Sequence, residues 1–125
     1  MRHHLLAAIV TTIVWAVIGP ARAQDAAAGQ IVFKIQCARC HSVAEGRNLA
    51  GPSLYGIVGR KAGRIPGFRY SPANRDASIT WNAATLDRYL ANPRAVMPKT
   101  FMAYPGLKDA RQRVNLIAFL ATQHP

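Results

Sequence analysis

The chain predicts an all-α fold: one small domain of three main helices joined by long loops. Three observations lead there. Apolar residues recur at helical spacing in three stretches, near residues 26–36, 85–90 and 109–122. No segment shows the strict alternation of a half-buried strand, and no βαβ rhythm, repeat or low-complexity linker interrupts the pattern. Glycine and proline punctuate everything between the helical stretches.

The first residues read as an address. Met1 to His4 is a basic start, Leu5 to Ile18 is an uncharged run of 14 residues, and Gly19-Pro20 breaks it ahead of Ala21-Arg22-Ala23. That is the layout of a secretory signal peptide, and the run is short of the ~20 residues a membrane span needs. Residues 1–23 are therefore expected to be the signal and 24–125 the domain, placed in the periplasm. Of the 16 basic residues, loss of Arg2 and Arg22 leaves 14 against 5 acidic, a mature charge of +9. Such a chain is drawn to acidic protein faces and anionic surfaces. Export argues against nucleic acid as a partner.

Asp25 is placed to cap a first helix, where its carboxylate meets free backbone N–H groups. Val32, Phe33 and Ile35 follow, and Gly29 shares a face with Phe33, leaving room for a crossing helix. From Glu45 to Ile79 six glycines and three prolines make a long irregular stretch, which a compact domain tolerates only if something fills the space beneath. Thr85 to Leu90 is a short helix with Leu86, Tyr89 and Leu90 inward, stopped by Asn92-Pro93. Arg94 to Leu107 is again irregular. Asp109 to Thr122 is the strongest helix, its apolar faces built from Val114, Ile117, Ala118, Leu116 and Phe119.

Chemistry enters at Cys37-Ala38-Arg39-Cys40-His41. Cys-x-x-Cys-His is the attachment signature of c-type haem. Two thiols three residues apart share one side of a helical turn, so each can form a thioether with one vinyl group. His41 then lies where a ring nitrogen can bind the iron. A dithiol redox pair, a disulfide and a zinc site draw on the same cysteines, although a structural zinc usually takes four Cys or His ligands. A second axial ligand could come from Met97, Met102 or His124. Met102 sits in a loop bounded by Pro98 and Pro105-Gly106; a thioether there favours Fe(II) and closes the sixth position. Met97 is read as packing.

With these residues in place, the chain resembles a class I cytochrome c of the small type found in mitochondria and many bacteria. The resemblance runs from Gly29…Phe33…Cys37-Ala38-Arg39-Cys40-His41 through Gly51-Pro52-Ser53-Leu54-Tyr55-Gly56 and Gly59-Arg60-Lys61-Ala62-Gly63. It continues through Pro66 to Asn74, Ile79-Thr80-Trp81, and Tyr89 to Met102, and closes at Leu116-Ile117-Ala118-Phe119-Leu120. It implies the cytochrome c fold, its helices and long loops wrapped round one haem c bound covalently through Cys37 and Cys40, with His41 and Met102 on the iron. It further implies that the carbonyl of Pro52 orients His41 and that Arg60, Tyr70 and Trp81 hold a buried propionate. Asn74, Tyr89 and Thr100 form a polar network on the Met102 side. Gly29 and Phe33 pack on Leu116 and Phe119.

The implied function is one-electron transfer, Fe(III)/Fe(II), by a monomer and not by an enzyme. Partners would be redox complexes with acidic docking faces: quinol–cytochrome c reductase, a terminal oxidase, a reaction centre or a dehydrogenase. Peripheral contact with a membrane is compatible with the charge. A dedicated subunit of a larger dehydrogenase or oxidase is the alternative, and a haem peroxidase or gas-binding protein a more distant one. The chain departs from the family at Phe101, where a lysine usually precedes the ligand methionine, and at Gln36 before the first cysteine. Arg39, Arg94, Lys99 and Lys108 remain to form a basic rim.

Overall fold

The computed structural model describes residues 24–125, so the signal reading of residues 1–23 lies outside the described residues. The described chain folds as α1 (Ala26–Gln36), α2 (Pro72–Arg75), α3 (Ala83–Ala91), α4 (Pro93–Val96) and α5 (Ala110–Ala121). The three longer helices are those the sequence predicts. Asp25 caps α1 by accepting from the Ala28 N–H at 2.9 Å, while its own N–H donates to Asn115 Oδ1 on α5 at 3.1 Å. One residue thus starts one terminal helix and ties it to the other.

The crossing of α1 and α5 depends on Gly29. A Cβ there would collide with the Asn115 carbonyl and come within 2.9 Å of Phe119 Cβ. Close approach lets Phe33 and Phe119 meet with ring centroids 5.5 Å apart, a tilted aromatic contact worth about 1 kcal/mol beyond its burial. Leu116 is fully buried at this crossing layer; truncating it to Ala would cost about 3 kcal/mol.

α3 begins two residues earlier than its apolar pattern suggests, because Asn82 and Thr85 form a reciprocal capping box. Its inward residues are Leu86, Tyr89 and Leu90, as read from the spacing. Asp87 on its other side meets Arg113 of α5 at 2.7 Å.

Two expectations need correction, and one contact was not anticipated. The stretches 45–79 and 94–107 are not wholly irregular: α2 and α4 are single turns, each with Pro at its first position and Ser71 or Asn92 as cap. Proline has no N–H to lose at that position and a preset φ, so Ser-Pro and Asn-Pro start helices as well as stop them. Val114 does not build the apolar face of α5; it is exposed, whereas Leu120 is buried. Finally, an isolated antiparallel bridge pairs Lys61 with Thr80 and closes the long loop on itself.

Candidate haem site

His41 is placed by the turn that follows α1. The N–H groups of Cys40 and His41 both donate to the Cys37 carbonyl, at 3.0 and 2.9 Å, so the chain coils tightly through the Cys-x-x-Cys-His segment. Gly51 lies flat against the imidazole; a Cβ there would run into the ring. Nδ1 of His41 lies 2.8 Å from the Pro52 carbonyl oxygen. A carbonyl can only accept, so Nδ1 carries the proton and Nε2 keeps its lone pair. Burial lowers the His41 pKa from its ordinary value, with the Pro52 bond opposing, which favours the neutral ring.

The ring borders a cavity of about 410 Å³ that all eleven candidate residues of the sequence analysis line. The wall between them is largely apolar, with Leu54, Ile57, Leu86, Leu90 and Leu120. Met97 is not part of it and packs in the core, only 3% exposed.

On one side the groups converge on the Met102 sulfur. Tyr89 is held by Trp81 (centroids 4.8 Å apart) and its hydroxyl donates to Met102 Sδ across 3.7 Å. The Thr100 hydroxyl donates to Asn74 Oδ1 at 3.1 Å, and the Met102 N–H reaches Thr100 Oγ1 at 3.3 Å. Sequence reasoning missed one member of this network. Ser71, buried, donates to the same Asn74 oxygen at 2.7 Å and caps α2. Its position before a proline was the available signal.

A second group is polar and less complete. Arg60 donates through its two terminal nitrogens to the carbonyls of Tyr55 (2.8 Å) and Ser53 (3.0 Å), rather than to Tyr70 or Trp81. Burial lowers the Arg60 pKa from its ordinary value, opposed by Tyr70; the guanidinium stays charged. The Tyr70 hydroxyl accepts from the Ile65 N–H, and Phe68 stacks edge-on against its ring. Trp81 is buried at the cavity wall, and its indole N–H donates to no protein group among the described residues.

Both cysteines are free thiols at the cavity. Burial, and then the neighbouring Cys40, push the Cys37 thiol up to about 11. At the rim Tyr104 donates to Gln36 Oε1 at 3.1 Å, and Phe101 is 64% exposed.

Two adjacent thiols, a neutral imidazole with one nitrogen committed, a thioether and an apolar chamber fit a haem, and the donor set is that of the covalently attached kind. Fold and site together define a c-type haem protein. The chain belongs to the cytochrome c family: the family's model, described as cytochrome c, matches residues 26–124. It is 46% identical over 120 residues to a cytochrome c2 of Rhodomicrobium vannielii, covering 95% of this chain and 94% of that one. It is 45% identical over 104 residues to a cytochrome c2 of Blastochloris viridis, covering 82% and 81%, and 42% identical over 101 residues to a cytochrome c of Nigella damascena, covering 80% and 91%. The protein is accordingly an electron carrier that holds haem c and serves redox partners, and it is not an enzyme.

Proposed function

We propose that the protein is exported as a monomer, with residues 1–23 the cleaved signal and 24–125 the carrier domain, and shuttles single electrons in the periplasm. Its donors and acceptors are redox complexes with acidic faces: quinol–cytochrome c reductase, a terminal oxidase, a reaction centre or a dehydrogenase. The leader pattern and the +9 charge of the mature chain support this reading.

The observation that carries the site is the His41–Pro52 bond. It fixes the tautomer and leaves Nε2 as the donor atom in the same cavity as the Met102 sulfur. In this proposal His41 Nε2 and the Met102 sulfur would hold the iron, and Cys37 and Cys40 would be the covalent anchors. Haem supplies the Fe(III)/Fe(II) couple. Attachment would add each S–H across a vinyl group, the S–H bond and the C=C π bond giving way to one S–C and one C–H bond, and a Cys37 thiol pushed up to about 11 fits a product that carries no thiolate. Tyr89 withdraws density from the sulfur by donating to it, while Asn74, Thr100 and Ser71 fix the loop that carries it. Arg60 and the free indole N–H of Trp81 offer a cation and a donor to a propionate, with the Tyr70 hydroxyl beside them.

Optical spectra of the exported haem protein test this. A weak far-red band in the oxidised form, sharp reduced bands and no response to carbon monoxide are the expected results. Ready binding of carbon monoxide by the reduced protein would overturn Met102 as a ligand. N-terminal sequencing of the secreted chain should begin at Gln24.

A further inference from the structure

The segment 98–107, which carries Met102 along the wall of the haem cavity, is pinned at both ends. At its entry the Thr100 hydroxyl donates to Asn74 Oδ1 at 3.1 Å. At its exit the Leu107 N–H donates to the Leu90 carbonyl at 2.8 Å. The Lys108 ammonium group adds bonds to the carbonyls of Ala91 at 2.8 Å and Pro105 at 3.3 Å. Gly106 permits that approach: its φ is +106°, and a Cβ there would collide with the Ala91 carbonyl. Both anchors belong to α2 and α3.

Between the anchors the segment is less firmly held. The N–H groups of Ala103, Tyr104 and Gly106 donate to no protein acceptor among the described residues. Toward α1 there is one tie. The Tyr104 hydroxyl donates to Gln36 Oε1 at 3.1 Å, joining positions 68 apart, and no other hydrogen bond among the described residues links the segment to α1. Gln36 is a firm post, because it is the last residue of α1, directly before Cys37. α1 is itself set close against α5 at Gly29. Tyr104 lies two residues beyond Met102, with its ring packed against the core. Both partners border the haem cavity, so their bond closes its rim on that side. Gln36 is also one of the positions at which the chain departs from the pattern of its family.

We propose that Gln36 is a positioning residue for the Met102 sulfur, acting through Tyr104 as a latch that holds the 98–107 segment against α1. The latch rests on the reading of Met102 as an iron ligand. With the bond made, the segment is held from both sides, and a small ligand from solution reaches the metal only when the latch opens. With the bond lost, the anchors on α2 and α3 keep the fold, and the segment opens more readily on the α1 side.

Imidazole titration of the oxidised haem protein, followed by loss of the far-red band, tests the latch. Gln36→Ala keeps a good helix former and Tyr104→Phe keeps the ring. Each should raise the apparent imidazole affinity about fivefold, the range of one net hydrogen bond. The pair acts as a unit, so the double variant should also show about fivefold and not the ~25-fold of independent sites. Gln36→Glu, which keeps an acceptor, should stay at the unsubstituted value. Lys34→Ala, in the same last turn of α1, should match it. Unchanged affinity in Gln36→Ala, multiplying effects in the double variant, or a Gln36→Glu protein as open as Gln36→Ala would each overturn the latch, while the far-red band of the unsubstituted protein upholds Met102. Absence of that band in the unsubstituted protein overturns Met102 as a ligand, and the latch with it.

Discussion

The Tyr89 hydroxyl donates to the Met102 sulfur across 3.7 Å, and it is the only side-chain group within the described residues that hydrogen-bonds that atom. Met102 is the proposed axial ligand, so this bond bears directly on the iron. A hydrogen bond to a thioether weakens it as a donor to the metal and so disfavours Fe(III) relative to Fe(II).

Tyr89→Phe should therefore lower the midpoint potential while leaving the fold in place. The ring keeps its packing against Trp81, and the lost bond, which involves sulfur and is long, is worth about 1 kcal/mol or less. Voltammetry reads the potential and far-UV circular dichroism the helices. A raised potential would show that the hydroxyl acts on something other than the sulfur.

Arg113 and Asp87 form an ion pair at 2.7 Å between α5 and α3, but the two partners are not equivalent. Arg113 is mostly buried and also donates to the carbonyls of Leu107 and Lys108, both at 2.9 Å. Asp87 is 41% exposed and can be rehydrated. Arg113→Ala strands two carbonyls and a carboxylate and should cost about 2–3 kcal/mol. Asp87→Asn should cost at most about 1 kcal/mol. Urea unfolding of the two variants checks the order, and equal losses would mean that the charge pair matters more than the carbonyl contacts.

These relationships mark how far the sequence could be read. The helix faces were legible because they are periodic: Gly29, Phe33, Leu86, Tyr89 and Leu116 lie where spacing alone puts them. The site residues were named because Cys37-x-x-Cys40-His41 has a chemical spacing and because the resemblance carries the rest. Contacts between distant segments left no local signal. Arg113 reaches the Asp87 carboxylate 26 residues away and also binds the backbone carbonyls of Leu107 and Lys108, which carry no sequence information. Arg60 likewise binds the carbonyls of Tyr55 and Ser53, and it borders one cavity with Tyr70 and Trp81, the residues expected to hold a propionate with it. Val114 failed for a different reason: its spacing fits an apolar face, yet its side chain is exposed.

The pH dependence of stability should carry the mark of His41. Burial holds its folded pKa below the ordinary 6.5. Between the two values the unfolded chain binds more protons than the folded one, so stability rises with pH in that window. The contribution is fully present above about 6.5 and is lost as pH falls through the lowered folded value. Urea midpoints of the chain without haem, in which Nε2 is not bound to iron, should be level from pH 8 to 7 and decline below 6.5. A midpoint that rises on acidification would contradict a neutral, buried imidazole.

Lys99 adopts φ +64°, the one non-glycine residue in the left-handed region among those described, and it sits three residues before Met102. An L-residue with a long side chain pays about 1–2 kcal/mol for this conformation. Glycine would remove that cost, although its freer unfolded chain returns about 0.4–1 kcal/mol. Lys99→Gly should thus stabilise the protein by about 1 kcal/mol and hold the Met102 loop more firmly. Two readouts follow: a higher urea midpoint, and a far-red Met–iron band that survives to higher pH. The charge must be separated from the backbone, and Lys99→Ala does this, since it removes the ammonium group but keeps the strain. If Lys99→Ala matches Lys99→Gly in both readouts, the effect belongs to the side chain and the strained backbone contributes nothing.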